Sequence, residues 1–527
     1  MQNTYVGHIG HAIRHAPRWM RVFAALVLAC GFLFTRMPGS FLPEEDQGYA
    51  MAIVQLPPGA TLQRTQKVFE QVRGTLEKQE GYEGMMQIAG FSFVGQGENV
   101  GMAFVKLKPW DERKTTASEF IQQANMALFP IRDAQIFVVN LPTVQGLGQF
   151  GGFDMYLQAR SGQERAQLGQ AMGQLLGAAG KDPALTAVRP NTLADAPQLK
   201  LDVDRTQAQA MGLSVSDIYS AIQLMLAQVY VNDFVDDGRV KRVYMQADGA
   251  YRTGPEALAR FYTPSPQAGG DGGLPAMVPL SNVVRHQWIV SPPSLNRFNG
   301  YPAVEITGSP APGHSSGEAM QVMQGIVEEQ LPEGFGYDWT GQSYQEILSG
   351  NLAPMLMALS LLVVFLCLAA LYESWSVPVS VLLVVPLGLL GAISFSLLRG
   401  LPNDIYFKIG MITVMGLAAK NAILIIEFAI EQRQHGKSLR DAIVEAARLR
   451  FRPILMTSFA FIMGVFPLAV SSGAGANARH AIGTGVIGGM LFATFLGLLM
   501  IPVFYVVVRR MLGDRMDEVP KVAADDA

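Results

Sequence analysis

Apolar residues are distributed unevenly along the chain. One run occupies 22–34, just after Arg14, Arg18 and Arg21, and nothing comparable occurs between about 38 and 350. Five more crowd into the last third, at 353–371, 377–398, 405–429, 453–470 and 481–508. Each of these five is near or above the ~20 residues that cross a ~30 Å hydrocarbon core. The pattern predicts six membrane spans, one before a large insertion and five after it. The first run has some features of a secretory signal, and Val27-Leu28-Ala29-Cys30 loosely fits a lipid-attachment box. It continues through Cys30 to residue 34, and Arg36 follows without a small-residue cleavage site, so an uncleaved anchor over 16–36 is expected.

The insertion alternates between the two periods of regular structure. Residues 49–56 read as a strand, 61–79 as a helix with apolar residues at Leu62, Val68, Val72 and Leu76, then 85–89 and 100–107 as strands, 117–127 as a helix and 135–140 as a strand. That order, β-α-β-β-α-β, is the ferredoxin-like unit. A similar order starts at 153–158, 165–177 and 185–189 and is completed, after an interruption, by 303–307, 316–330 and 337–340. Within the interruption, 229–246 reads as a hairpin turning at Asp237-Gly238, and 264–273, rich in Pro and Gly, reads as a loop or linker. The expected fold class is a polytopic α-helical membrane protein, six spans arranged one plus five, with a large α+β insertion.

Charge adds direction. With an in-to-out first helix, the segment between the fourth and fifth spans is cytoplasmic, and it carries Arg433, Lys437, Arg440, Arg448, Arg450 and Arg452. Arg450 and Arg452 most simply anchor that loop at the headgroups. The tail after the last span begins Arg509-Arg510, whereas the outer loops hold only Arg399 and Arg479. This is the positive-inside arrangement, and it turns the insertion outward. A hydrophobic share of 50%, a charged share of 16% and a mean hydropathy of +0.23 over 527 residues are then averages over two solvents. The net charge of −3 argues against nucleic acid as a main partner. Cys30 and Cys367 both lie in apolar runs and make neither a disulfide framework nor a metal motif. His-Glu-x-x-His and Walker A patterns are absent from the sequence, so transport work must draw on an ion gradient or a partner.

Three features carry candidate chemistry. Lys420 lies nine residues before Ala429, about 14 Å along a helix and so near the bilayer midplane. A lysine there costs roughly 2.5–3.5 kcal/mol even on low estimates, which points to ion or proton coupling. Glu427 shares its face but lies nearer the edge. Thr457, one turn inside the fifth span, has a hydroxyl that can bond either a partner helix or its own backbone. Finally, Phe91-Ser92-Phe93-Val94-Gly95-Gln96-Gly97-Glu98-Asn99-Val100-Gly101 reads either as a mobile aromatic loop over a cavity or as a long hairpin tip.

Several motifs together resemble the hydrophobe/amphiphile efflux branch of resistance–nodulation–division pumps. They are Phe41-Leu42-Pro43-Glu44-Glu45-Asp46-Gln47-Gly48, Val231-Asn232-Asp233-Phe234, Tyr337-Asp338-Trp339-Thr340-Gly341, and the stretches 365–375, 416–428 and 452–458. Metal-exporting relatives lack the acidic Glu44-Glu45-Asp46-Gln47 stretch. Such pumps have two homologous halves of six helices, and this chain is similar to the C-terminal one. The resemblance implies a cytoplasmic segment over 1–15, a first periplasmic porter subdomain over 37–150, a second over 151–196 and 288–345, a docking subdomain over 197–287, five helices over 346–510 and a cytoplasmic tail over 511–527.

The resemblance also implies roles. Lys420 matches a lysine facing an Asp pair supplied by the other half, and Thr457 and Arg450 match its relay partners. The Gly-rich segment matches a switch loop, to which Gly90, Gly95, Gly97 and Gly101 belong. Phe91, Phe93, Phe104, Met51, Met86, Phe153, Met155 and Arg189 match substrate-pocket or entrance positions, Met86 and Met155 standing where some relatives have Phe. Asn232, Asp233, Asp237 and Gly238 fall in the docking hairpin. No cofactor or metal is expected beyond a proton gradient. The implied partners are an N-terminal half, a periplasmic adaptor, an outer-membrane channel, the lipid membrane and, when complete, two further copies, in the inner membrane of a Gram-negative bacterium. Competing readings are a membrane scaffold or pump remnant that moves no substrate, and an anchored receptor or enzyme, for which no catalytic constellation exists.

Overall fold

A computed structural model describes residues 2–144, 146–265, 275–514 and 516. The chain opens with helices α1 (Gln2–Arg14) and α2 (Ala16–Thr35), then β1 (Tyr49–Gln55), α3 (Leu62–Leu76), β2 (Tyr82–Ser92), β3 (Gly95–Leu107), α4 (Ala117–Leu128) and β4 (Gln135–Val139). A second α/β group begins with β5 (Phe153–Ala159), α5 (Arg165–Ala179) and β6 (Leu185–Pro190). There follow β7 (Ala196–Val203), α6 (Arg205–Ala210), α7 (Val215–Leu226), β8 (Val229–Asp236), β9 (Arg239–Met245), β10 (Tyr262–Ser265), β11 (Ala276–Pro279) and β12 (Val284–Ser291). The second group resumes with β13 (Arg297–Phe298), β14 (Tyr301–Pro310), α8 (Ser316–Gln330) and β15 (Phe335–Trp339). The chain continues through α9 (Gly341–Tyr372), α10 (Ser376–Leu382), α11 (Val385–Leu398), α12 (Ile405–Gln434), α13 (Leu439–Ala469) and α14 (Ala476–Met511).

Two compact units emerge. One is Leu193–Leu295 with Pro57–Gly59; the other holds the remainder. The smaller unit is wider than the expected 197–287, because β7 and β12 form one antiparallel ladder closed by Ala196↔Ser291. A boundary at 287 would cut through β12. Its core is Ala208, Leu213, Ile218, Leu258, Phe261 and Leu280. Most of the expected 264–273 linker, from 266 on, lies outside the described residues, as does most of the 511–527 tail.

In the larger unit the two α/β groups share one topology. The first sheet runs β2-β3-β1-β4, and the second runs β6-β14-β5-β15 with the two-residue β13 also paired to β14, all pairs antiparallel. In each, alternate strand residues pack under two helices: Ala50, Ala52, Val54, Ala103 and Val105 under α3 and α4, and Phe153, Met155, Leu157 and Ala159 under α5 and α8.

Among the described residues, six helical stretches are long and apolar enough to cross a membrane: Ala16–Thr35, Leu352–Tyr372, Ser376–Leu398, Ile405–Gln434, Leu439–Ala469 and Ala476–Met511. The fifth starts fourteen residues before the expected Pro453, which sits inside α13. The arginine-bearing segment is therefore largely helix. Leu439, Ala442, Ile443, Ala446 and Ala447 are buried, while Asp441 and Arg448 are exposed, an amphipathic turn pattern too polar to register as a span. Of the six basic residues assigned to a loop, Lys437 alone lies between α12 and α13. Of the expected 1–15 segment, Gln2–Arg14 is helical: α1 buries Ile9, Ala12 and Ile13, and the Tyr5 hydroxyl donates to the Leu498 carbonyl at 2.9 Å.

Candidate functional site

Lys420 lies on the outward face of α12. Its neighbours Ala418, Ala419, Asn421 and Ala422 are buried, whereas Thr413, Gly416, Lys420 and Glu427 form an exposed stripe at helical spacing. Lys420 makes no hydrogen bond or ion pair among the described residues. Thr457 is likewise exposed on α13, and its hydroxyl donates to the Ile454 carbonyl at 3.1 Å, within its own helix. Arg450 is on α13, not in a loop, and its guanidinium lies 3.6 Å from the centroid of the Phe428 ring. Its Nε is buried without a partner among the described residues.

The residues next door fix this face. Asn421, Ser458 and Thr494 are all at most 3% exposed. Asn421 Nδ2 donates to Ser458 Oγ at 3.5 Å and Thr494 Oγ1 donates to the same oxygen at 2.9 Å. One polar contact thus joins α12, α13 and α14, with Lys420 and Thr457 one residue away on the open side. Ser458 was adjacent to the expected Thr457 in sequence. Nothing but helical phase distinguishes the two.

The face of the first sheet turned away from α3 and α4 gathers several expected pocket residues, of which Met86 is exposed and Met51 is fully buried. Register places Met86, Phe104, Met51 and Val139 in one row across the four strands, and Ile88, Met102, Ile53 and Phe137 in the next. Phe91 and Phe93 are 40% and 36% exposed at the end of the β2–β3 hairpin, with ring centroids 6.3 Å apart. The Gly-rich segment is therefore a hairpin tip and not an open loop. Phe91 pairs with Gln96 and Ser92 with Gly95, because the alternation of β2 and β3 runs on past the apolar residues. Gly90 has φ 89° at the bulge between Ala89 and Phe91. Gly95 and Gly97 begin β3, and at Gly101 a Cβ would meet the Phe69 ring at 2.5 Å.

Arg189 extends the aromatic line from the second sheet. Phe93 and Phe150 are 6.0 Å apart, and the Arg189 guanidinium lies 5.1 Å from the ring centroids of both Phe150 and Phe137. Phe137 and Phe150 were not anticipated; their value comes from long-range proximity that spacing does not encode. Thr307 pairs with Arg189 on one side and Asp154 on the other, so the three share a row. Burial pushes Asp154 up to about 7, helped by Glu305 and opposed by Arg189. Burial likewise lowers Arg189 to about 10, with Asp154 opposing. Arg189 Nη2, Thr307 Oγ1 and Asn191 Oδ1 are buried without partners among the described residues, a deficit that a polar guest or water would satisfy.

Phe153 and Met155 do not line this corner. They are 1% and 0% exposed in the core beneath α5 and α8, Phe153 edge-on to Trp339 at 6.4 Å. Strand alternation turns Asp154, between them, the other way. In the smaller unit, Asn232 and Asp233 are exposed on β8, and Asp237 and Gly238, at φ 48° and 72°, form the tight hairpin turn.

Six apolar helices and two α/β groups of one topology, among the described residues, define the class: a polytopic membrane protein built around a large α/β insertion. The AcrB/AcrD/AcrF family model matches residues 1–509, and the chain belongs to that family. It is similar to the toluene efflux pump membrane transporter TtgB of Pseudomonas putida, at 48% identity over 98% of this chain and 49% of that protein. Multidrug export protein AcrF of Escherichia coli (strain K12) is 50% identical over 96% of this chain and 49% of its own length. Multidrug resistance protein MdtF of the same Escherichia coli strain is 48% identical over 95% and 48%. These relatives are transporters and not enzymes. The chain spans about half the length of the curated relatives it matches.

Proposed function

We propose that the chain is the C-terminal half of a proton-driven multidrug efflux transporter of the inner membrane. It exports amphiphilic and hydrophobic compounds to an outer-membrane channel, together with an N-terminal half and a periplasmic adaptor, as a homotrimer when complete. The observation that carries this reading is Lys420, held on an outward face by buried neighbours with no counter-charge among the described residues. Such a lysine is costly in lipid and calls for carboxylates from another chain. Thr457 and Arg450 complete the relay on α13. The shared β-α-β-β-α-β topology supports two ferredoxin-like porter subdomains facing the periplasm, and the Leu193–Leu295 unit supports a docking subdomain.

In the same reading, substrate enters at the exposed hairpin edge of the first sheet, on the face turned away from α3 and α4. Met51, Met86 and Phe104 offer an adaptable apolar row, Phe91 and Phe93 a movable edge, and Arg189 with Asp154 a polar corner. The test is dye efflux from cells lacking their own pumps, with this chain expressed alone and beside a separately encoded N-terminal half. Efflux from the pair alone supports the proposal. Equal efflux from the single chain refutes the half-transporter, and none from either, with both chains in the membrane, favours a non-transporting scaffold.

A further inference from the structure

The segment from Pro38 to Gly48 joins α2 to β1 and carries three consecutive acidic residues, Glu44, Glu45 and Asp46. Acidic runs usually face solvent, yet Glu45 is only 6% exposed. Its two oxygens accept from the backbone of α14's first turn, Oε2 from Asn477 N at 3.2 Å and Oε1 from Ala478 N at 2.7 Å. Helix α14 needs this: its N-cap is Gly475, in the left-handed region with no side chain to offer, and its first turn holds no acidic residue. A carboxylate there satisfies orphan amides and meets the positive end of the helix dipole.

The next residue does the same on the other side. Asp46 accepts from Ala117 N, the first residue of α4, at 2.9 Å and from the nearly inaccessible Arg113 guanidinium at 2.5 Å. Burial alone would raise this carboxyl, but Arg113 and the backbone donors outweigh it and hold it below its ordinary value. Asn140, just beyond β4, donates to the Glu45 carbonyl at 3.2 Å. Two adjacent carboxylates therefore grip a membrane helix and the first α/β group respectively.

We infer that the strap from Pro38 to Gly48 is the coupling element that makes α14 and the first α/β group move as one body, with Glu45 as its positioning residue. A displacement of α14 along its axis must carry Glu45, and the single peptide bond to Asp46 leaves no slack before α4 and β1 follow. The inference deepens the transport reading and rests on it for its functional meaning, while the mechanical link stands on its own geometry.

Hydrogen–deuterium exchange on the purified full chain in nanodiscs tests the link directly. Glu45→Ala should speed exchange about ten-fold in the first turn of α14, around 476–480, and also in the 110–118 segment that Asp46 holds. Glu45→Gln, which keeps an acceptor, should lie between. Acceleration confined to α14, or none at either end, overturns the coupling. A uniform rise throughout the chain, with a lowered Tm, also overturns it, since Glu45 would then be an ordinary stabilising contact. In cells containing the N-terminal half, Glu45→Ala should lower dye efflux about ten-fold at unchanged abundance and dye affinity; unchanged efflux contradicts the coupling role. A wild-type pair that exports nothing fails the transport proposal, and the exchange result still decides the mechanical one.

Discussion

Asn421 donates to Ser458 at 3.5 Å, so the residue after Lys420 and the residue after Thr457 hold each other inside the helix bundle. Helical geometry then turns Lys420 and Thr457 the other way. The buried contact is structural, and the exposed pair is what it displays. Ser458→Ala deprives both Asn421 and Thr494 of their acceptor and should cost about 1 kcal/mol, in keeping with the modest worth of hydrogen bonds between membrane helices. Thermal unfolding in nanodiscs should show a Tm lowered by a few degrees, whereas Thr457→Ala, whose hydroxyl bonds only its own helix, should leave Tm unchanged.

Asp154 makes stability depend on pH. Its folded pKa of about 7 lies well above the ordinary carboxylate value of ~3.9. The folded protein thus binds the proton more tightly, and the stability this contributes is complete below about pH 4 and is lost as pH rises through 7. Asp154→Asn should flatten that loss, by up to about 3 kcal/mol on single-site linkage, in stability measured from pH 5 to 8. A remaining slope belongs to the other carboxyls that burial raises, Glu346 to about 7 and Asp404 to about 6, with Glu44 and Glu305 shifted the same way.

Phe150 joins Phe93 to Arg189 and is 3% exposed. Phe150→Ala removes one of the two rings beneath the guanidinium and should destabilise the protein by about 3–5 kcal/mol. Phe93→Ala, at the half-open hairpin tip, should cost under about 1 kcal/mol and instead weaken binding of an aromatic dye. Denaturant unfolding and fluorescence polarisation separate the two effects.

Gly101 is required by packing and not by backbone angle. A Cβ there would meet Phe69 ring carbons at 2.5 and 2.7 Å and the Ile88 carbonyl at 2.8 Å. Gly101→Ala should therefore destabilise the first α/β group by about 1–3 kcal/mol, while Gly59→Ser, which meets nothing within 4 Å, is strained only by its φ of 84°. Thermal unfolding of the two variants compares steric with conformational cost.

Periodicity exposed most of the architecture. Both β-α-β-β-α-β orders could be read because their strands and helices are short, apolar and separated by turns, and the membrane helices because lipid demands unbroken runs. The start of α13 was illegible as a span since its first turns carry Arg440, Asp441, Glu445 and Arg448, and only their spacing is helical. Phe153 and Met155 were misplaced for a related reason: a strand shows which residues share a face, not which face looks into the site. Phe137, Phe150 and Glu45 owe their places to partners far away in the chain, and no local pattern marks them. The reading of Lys420 rests on a general cost, that of a charge far from either membrane surface, and not on any local pattern.

The central claim is that Lys420 works only with carboxylates from a second chain. It is tested most directly in proteoliposomes holding this chain with an N-terminal half under an imposed proton gradient, with dye transport as the readout. The account predicts transport by the wild-type pair, its abolition by Lys420→Ala, and none by this chain alone. Gradient-driven transport by this chain alone, undiminished by Lys420→Ala, would contradict it.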